Sequence, residues 1–506
     1  MKASTYAKKI ICFILAGVLA IAFASCKDET GNENVTGENM TEAEEIPDGS
    51  ISVPYTSLDS LNPFYTKSVL NSIISSLVYR SLYRLDSSFS SERDLALSES
   101  INGLTLKVYL VPELVFSDLA PMTPEDVVYS FDLAKKSPLY GAGLSGISEC
   151  TAGDDNSVVF TLTENNRHIL GALTFPIVKS GTAAGEDFLP VGNGFYQFHQ
   201  DGIRLTLKAN LKFAGTLPNV GTVRLTDVKG NADPENLVST GEIDFYYSDL
   251  ADADISGVNS AVTSVYLNNL VYIGVNHQNV NLVLSSFRRA VSYAIDRQTI
   301  TENAYRGFAR GTGVPFNISW KEYSSSASAS SLSVYDPLKT AELLGERGFG
   351  EGGNPLNLTL LCNEGNSFLR NTASLIASSL APYNINITIQ LMNSEGIEKA
   401  VKAGNYDLYL GEIKLPSTMD LSQFFTVGGN AAYGIDFQYI TSDEEYVKYK
   451  NGEISIDSFI ETFCNDMPFI PLLYRNGRLC YTRSITSELS VTEGDMFGDI
   501  YKWTFS

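Results

Sequence analysis

The sequence predicts an α/β protein. One stretch reads as alternating strands and helices, two helix starts carry complete end signals, and the chain is too long for a single hydrophobic core. Leu356–Cys362 is a short apolar run of strand length. Between Phe368 and Leu380, Leu369, Ala373, Ile376 and Leu380 recur at helical spacing. Ile385, Ile387, Ile389 and Leu391 then alternate with polar residues, as on a strand. A short helix over 394–403 ends near Gly404, and Tyr406, Leu408 and Leu410 alternate again. The order is βαβαβ, which joins sheet neighbours through helical crossovers.

Thr123-Pro124-Glu125-Asp126 places a hydroxyl at the N-cap, Pro at the first helical position and acids in the first turn. Val127, Val128 and Phe131 continue that helix. Asp336-Pro337 starts another in the same way, with Leu338, Ala341 and Leu344 as its expected buried face and Gly348 as its stop. Beyond residue 50, roughly 455 residues remain, enough for two or three domains.

The first 25 residues read as a secretory leader. Lys2, Lys8 and Lys9 precede an apolar run from Ile10 to Ala24, shorter than the ~20 residues that span a bilayer. Phe23-Ala24-Ser25-Cys26 resembles a lipobox, with Phe where Leu is commoner, so Cys26 is the expected lipidation site. Each buried acyl methylene contributes about 0.8 kcal/mol, so several chains on one Cys anchor a domain firmly. Residues 26–50 are acidic, rich in Asn, Thr and Gly, and poor in large apolar side chains, as in a disordered tether.

The formal charge is −22, and removing residues 1–25, with their three Lys and no acid, makes it −25. Such a balance argues against nucleic acid, whose binding needs Lys and Arg against phosphate. Cys150, Cys362, Cys464 and Cys480 follow Cys26 without CxxC spacing. Cys362 is expected to be a small buried hydrophobe, and a Cys464–Cys480 disulfide is open. His168, His199 and His277 are scattered, with no HExxH or paired metal spacing, and neither a GxSxG elbow nor a Walker A loop occurs. Gly348-Phe349-Gly350-Glu351-Gly352-Gly353 has GxGxxG spacing, but it follows a helix and precedes a strand. A dinucleotide loop has the reverse context, so this is a glycine-rich connection. No metal and no cofactor are expected.

Several segments, in order across nearly the whole chain after Cys26, resemble family 5 solute-binding proteins, the peptide/nickel class of extracytoplasmic binding proteins. Asp59-Ser60-Leu61-Asn62-Pro63 is similar to the family's "LNP" segment, and Val78-Tyr79-Arg80-Ser81-Leu82 to its "VYEGL". Met122 to Phe131 resembles "LTAEDVVYSF", and Val191-Gly192-Asn193-Gly194-Phe195-Tyr196 resembles "VGTGPY", whose glycines permit a tight turn. Gly241-Glu242-Ile243-Asp244 matches "GEID". Phe287 to Arg297, reading FRRAVSYAIDR, is similar to "VRQALSYAIDR", and Tyr335 to Phe349 to "YDPEKAKELLKEAGF". Read without the family, these residues are caps, turns and core faces, and they mark a scaffold more than a ligand site.

The resemblance implies a two-lobe periplasmic-binding-protein-like fold of the large, three-domain type. Residues 51–81, 179–266 and 475–506 form domain I and 82–178 domain II, together one lobe; 267–474 form domain III, the other. The lobes enclose a ligand, a small solute and most readily a peptide, by hinge closure. The implied role is the substrate-binding lipoprotein of an ABC importer, a monomer on the outer face of the cytoplasmic membrane, delivering its ligand to a permease driven by an ATPase. It is not an enzyme in this reading. A lipid-anchored hydrolase, or a sensor or chaperone on the same scaffold, stands as the alternative.

The sequence departs from the family where peptide-binding members carry "GW-x-x-D", whose Asp pairs with the peptide amino group. Here Gly411 is followed by Glu412-Ile413-Lys414-Leu415, with no Trp and no Asp. Glu412 could take the place of that Asp, or Lys414 could pair with an acidic ligand group. Asp420 is expected to cap the helix 421–425. Position in the family pattern adds Tyr55, Asn62 and Tyr433 as cleft candidates, and Trp320, which suits ligand stacking or the core equally.

Overall fold

The computed structural model describes residues 47–506 except 231–232, 252–254, 332–333 and 351. The leader, Cys26, most of the tether and Glu351 of the glycine-rich loop lie outside the described residues. Among the described residues, no helix is long and apolar enough to cross a membrane.

Three larger sheets organise the chain. In the first, Gly49–Tyr55 runs parallel to Val220–Asp227, which continues antiparallel into Arg204–Ala209 and Tyr196–Asp201. In the second, Ala96–Asn102, Thr105–Leu110, Ser157–Leu162 and Ile147–Gly153 form an antiparallel meander-like sheet. The helix Pro124–Ala134 covers it, with Phe131 edge-on to Phe160 at 5.8 Å. Thr123 and Asp126 close the capping box of that helix. The third sheet runs in the order Phe245–Ser248, Ile470–Tyr481, Ala261–Val275, Leu408–Lys414, Leu356–Asn363, Ile385–Met392. Its last three strands are parallel and joined through the helices Ser367–Leu380 and Ser394–Lys402, the βαβαβ unit expected from periodicity.

Burial divides the apolar side chains into two large cores. One draws on residues from Ile51 to Leu267 and again from Leu479 to Trp503. The other draws on Leu270 to Tyr474, with Phe89 and Leu250 added from outside that stretch. Two long strands, Ala261–Val275 and Ile470–Tyr481, run side by side from one core into the other. Their pairing shifts register between Tyr266 and Asn269, a bulge placed where the strands leave one core and enter the next.

Beyond that crossing, two glycines admit two tyrosines. Gly274 faces Tyr409 and Gly411 faces Tyr272 in the antiparallel register. A Cβ on Gly274 would stand 2.0 Å from the Tyr409 ring, and one on Gly411 2.6 Å from the Tyr272 ring. Both rings are buried and cannot swing out. Gly274→Ala is expected to cost about 1–3 kcal/mol, the range for overpacking a tight core. A urea-melt midpoint equal to that of the wild type would refute this.

Two sequence expectations change. On the helix Pro337–Gly345, Thr340, Leu343 and Leu344 are buried, whereas Leu338 is 85% exposed and Ala341 is also outside. Thr340 can take a core position because its hydroxyl donates to the Asp336 carbonyl at 2.9 Å. Gly192 and Gly194 serve close approach and no tight turn: a Cβ on either would meet the Val78 backbone, at 2.2 and 2.6 Å. Cys464 and Cys480 are free thiols in different apolar clusters, and burial pushes each up to about 11. Gly348 stops the helix Pro337–Gly345 as expected: its φ of +74° turns the chain so that Phe349 N–H reaches the Leu344 carbonyl.

Candidate functional site: the cleft between the two cores

A cavity of about 1120 Å³ lies between the cores. The first core supplies one wall: the helix Val69–Val78, the segment from Tyr79 to Asp94, the Leu139–Gly146 turn and the C-terminal segment from Val491 to Tyr501. The second core supplies Ile413 to Thr418, Asp420, Ser422, Gln423 and Asn430. Tyr79, Tyr140, Phe195, Phe213, Tyr247 and Tyr501 give the cavity an aromatic lining. Its volume sits at the top of the range for small-molecule sites and takes a short peptide or a ligand of that bulk.

The loop from Leu415 to Asp420 is tied to the strand bulge. Leu415 N–H donates to the Asn268 carbonyl at 2.9 Å, and the Asn268 amide donates to the Pro416 carbonyl at 3.1 Å. Met419 holds a left-handed φ of +54°, a conformation that costs a non-glycine residue energy and that the surrounding packing enforces. The cleft loop is thus hydrogen-bonded directly to the strand crossing.

Of the candidates named from sequence, the structure brings Lys414 to the cleft and sets the others apart from its lining. Lys414 pairs with Glu493 of the opposite wall, so its charge is matched inside the protein. Glu412 turns to the crossing strands, where its Oε1 accepts from Arg475 Nε at 2.7 Å, Nη2 at 2.6 Å and the Asn269 amide at 2.9 Å. It is an ion-pair partner of Arg475 at the strand crossing. Asn62 is fully buried and clamps a loop, donating to the Gly185 carbonyl at 2.9 Å and accepting from Phe64 N–H at 3.2 Å. Tyr55 ends the first strand beside Asp227 and packs on the first core. Tyr433 packs against the second core. Asp420 accepts from Ser422 N–H at 2.6 Å, but the helix is Ser422–Phe425 with Leu421 at its N-cap, so Asp420 stands one residue before the expected cap position, and it also lines the cleft.

Trp320 is 4% exposed and belongs to a contact between the two cores. Its ring meets His168 edge-on at 4.9 Å. His168 Nε2 lies 3.0 Å from Glu322 and 3.2 Å from the Tyr449 hydroxyl. Alongside, Lys450 pairs with Glu164 at 2.8 Å. A Cβ on Gly171 would stand 2.9 Å from the Ser417 carbonyl. A loop of the first core is thus seated on the second.

Sequence reasoning missed Tyr79, Arg80, Asp94, Tyr140, Asp495 and Tyr501. A signal existed for one of them: Arg80 stands where the resembled "VYEGL" has an acid, and it pairs with Asp94 at 2.6 Å.

Residues 91–434 match the model of the bacterial extracellular solute-binding proteins, family 5 middle region. A putative ABC transporter peptide-binding protein of Brucella ovis is 26% identical over 292 residues, 53% of this chain and 54% of its own. The match thus spans about half the length of that relative. The oligopeptide-binding protein AppA of Bacillus subtilis is 23% identical over 430 residues, 77% of each chain. Among solved structures, HbpA2 from Haemophilus parasuis superposes with a TM-score of 0.73 at 17% identity, over 90% of this chain and 100% of that one. That likeness shows the fold, the two-lobe architecture with a ligand cleft between the lobes. With a family match over most of its length and the fold to go with it, the chain belongs to the bacterial extracellular solute-binding proteins of family 5.

Proposed function

We propose that this chain is the ligand-capturing subunit of an ABC importer, held by a lipidated Cys26 on the outer face of the cytoplasmic membrane, and that it does no chemistry on what it binds. The single observation carrying this is the cleft of about 1120 Å³ between two cores that share two continuous strands. Two bodies joined in this way close on a ligand by bending at the crossing, one of the known forms of domain closure. The lobes divide near 266 and 474, with 51–81, 179–266 and 475–506 as domain I, 82–178 as domain II and 267–474 as domain III. The ligand is a peptide or peptide-like solute: relatives carry peptide-binding names, and the aromatic lining suits side chains of mixed character. The closed form is handed to a permease and its ATPase, and the subunit works as a monomer.

The test is a thermal-shift screen of the full-length protein in detergent against di- to hexapeptides, amino acids, sugars and metal chelates. A ligand at 100 times its Kd is expected to add about 2.7 kcal/mol of stability. A saturable shift with peptides, and recovery of the peptide intact after long incubation, supports the reading. A shift confined to sugars or chelates overturns the peptide assignment, and product formation overturns the non-enzymatic one. Incorporation of labelled palmitate that disappears in Cys26→Ala is the expected result for the anchor.

A further inference from the structure

The charges lining the cleft do not balance. Among the described residues, seven carboxylates line it against three cations, Arg80, Arg84 and Lys414. Each cation is already engaged: Arg80 with Asp94 at 2.6 Å, Lys414 with Glu493, and Arg84, near the rim, with Glu92 at 3.4 Å. Most of the remaining carboxylates are engaged too. Asp86 accepts from Ser88 and Ser90 N–H at 2.8 and 2.9 Å, and Glu164 pairs with Lys450. Asp420 accepts from Ser422 N–H and the Tyr446 hydroxyl, and Asp249 from Ala251 N–H.

Asp495 stands apart. Its carboxylate accepts from Phe497 N–H at 3.3 Å and from the Ser76 hydroxyl, and among the described residues it forms no ion pair. The Arg84 charge favours its ionised form from a distance and Asp94 opposes it, while burial outweighs both and pushes the carboxyl up to about 6. The carboxylate is nevertheless held in place. The Asp495 N–H donates to Thr492 Oγ1 at 3.1 Å, and the next two residues, Met496 and Phe497, are fully buried. Gly498 leaves room for it, since a Cβ there would lie 2.2 Å from Asp495 Oδ2. A fixed, recessed carboxylate without a cation is costly until one arrives. The aromatic rings of the same cavity offer their faces to that cation.

We propose that Asp495 receives a cationic group of the ligand, an ammonium or guanidinium, so that this cleft selects positively charged ligands from the wall of the first core. The inference rests on the ligand-capture reading of the same cleft. It places recognition of positive charge on the first-core wall, two residues from the Glu493 that pairs with Lys414.

The experiment uses full-length protein and matched tripeptide pairs: one member with a free amino terminus and Lys at the second position, the other N-acetylated with norleucine there. Affinities are measured by calorimetry at pH 7.5 and pH 5. The wild type is expected to prefer the charged member at least tenfold at pH 7.5. That preference should shrink severalfold at pH 5, where the carboxyl is largely protonated. Asp495→Asn is expected to reduce the preference at pH 7.5 to below about threefold. The pH comparison on the wild type gives the same reading without a substitution. Equal affinity for both members, or a preference that survives Asp495→Asn, overturns the inference and leaves peptide capture standing. A wild type that binds neither member of any pair overturns both.

Discussion

Replacing Arg297 with Ala is expected to remove about 3–5 kcal/mol of stability, the range for truncating the largest buried side chains. Arg297 is 2% exposed and among the described residues has no carboxylate partner. Its guanidinium is satisfied by main chain instead: Nε donates to the Thr312 carbonyl at 2.7 Å, Nη1 to Val334 at 2.7 Å and Ser292 at 2.9 Å, and Nη2 to Pro471 at 2.7 Å. Burial lowers its pKa to about 10, which still leaves it charged at neutral pH. Removing it strands several buried carbonyls at once and opens a cavity the length of the side chain. Arg297→Lys should recover only part of the loss, because one ammonium cannot reach carbonyls arranged around a planar fork. Urea unfolding with a loss below about 1 kcal/mol for Arg297→Ala would contradict this account.

Acidification is expected to cost the protein up to about 3 kcal/mol through His277 alone. The ring is 3% exposed. Its Nδ1 accepts from Asp436 N–H at 3.1 Å, which leaves Nε2 to carry the proton and donate to the Pro468 carbonyl at 3.0 Å. Burial, and then the Arg288 charge, lower its pKa to about 4. In the unfolded chain a His titrates near 6.5. Between those values the unfolded chain takes up a proton that the folded one refuses. The contribution is therefore complete above about pH 6.5 and is lost as pH falls toward 4. Asp495 has the opposite sign: its folded pKa is raised, so what it contributes is present at low pH and lost as pH rises through about 6. The difference between wild type and His277→Gln, followed from pH 7 to pH 4, isolates the histidine. Parallel curves would show that it carries no such linkage.

Much of the scaffold was legible because it is written locally. Leu369, Ala373, Ile376 and Leu380 sit on the buried face of one helix, and Asp336 bonds Lys339 N–H at 2.9 Å as an N-cap should. The error at Leu338 and Ala341 arose because a threonine that satisfies its own hydroxyl counts as apolar to the core and as polar to the reader. The cleft was far less legible. Its walls come from segments near residues 69–95, 139–146, 413–423 and 491–501, and no spacing rule links Asp495 to Arg84 or Lys414 to Glu493. Glu412 and Lys414 are two positions apart on one strand, and each is paired, with Arg475 and with Glu493, by a partner more than sixty residues away.

The second core is one nearly continuous stretch of chain inserted into the first, and its two ends, Asn269 and Arg475, are cross-strand neighbours. Read as an order of synthesis, this has a definite outcome. A chain that emerges from its N-terminus exposes everything the second core needs by Tyr474, while the first core still lacks Leu479, Phe497, Ile500 and Trp503. The part of the protein that begins first is the part that must finish last.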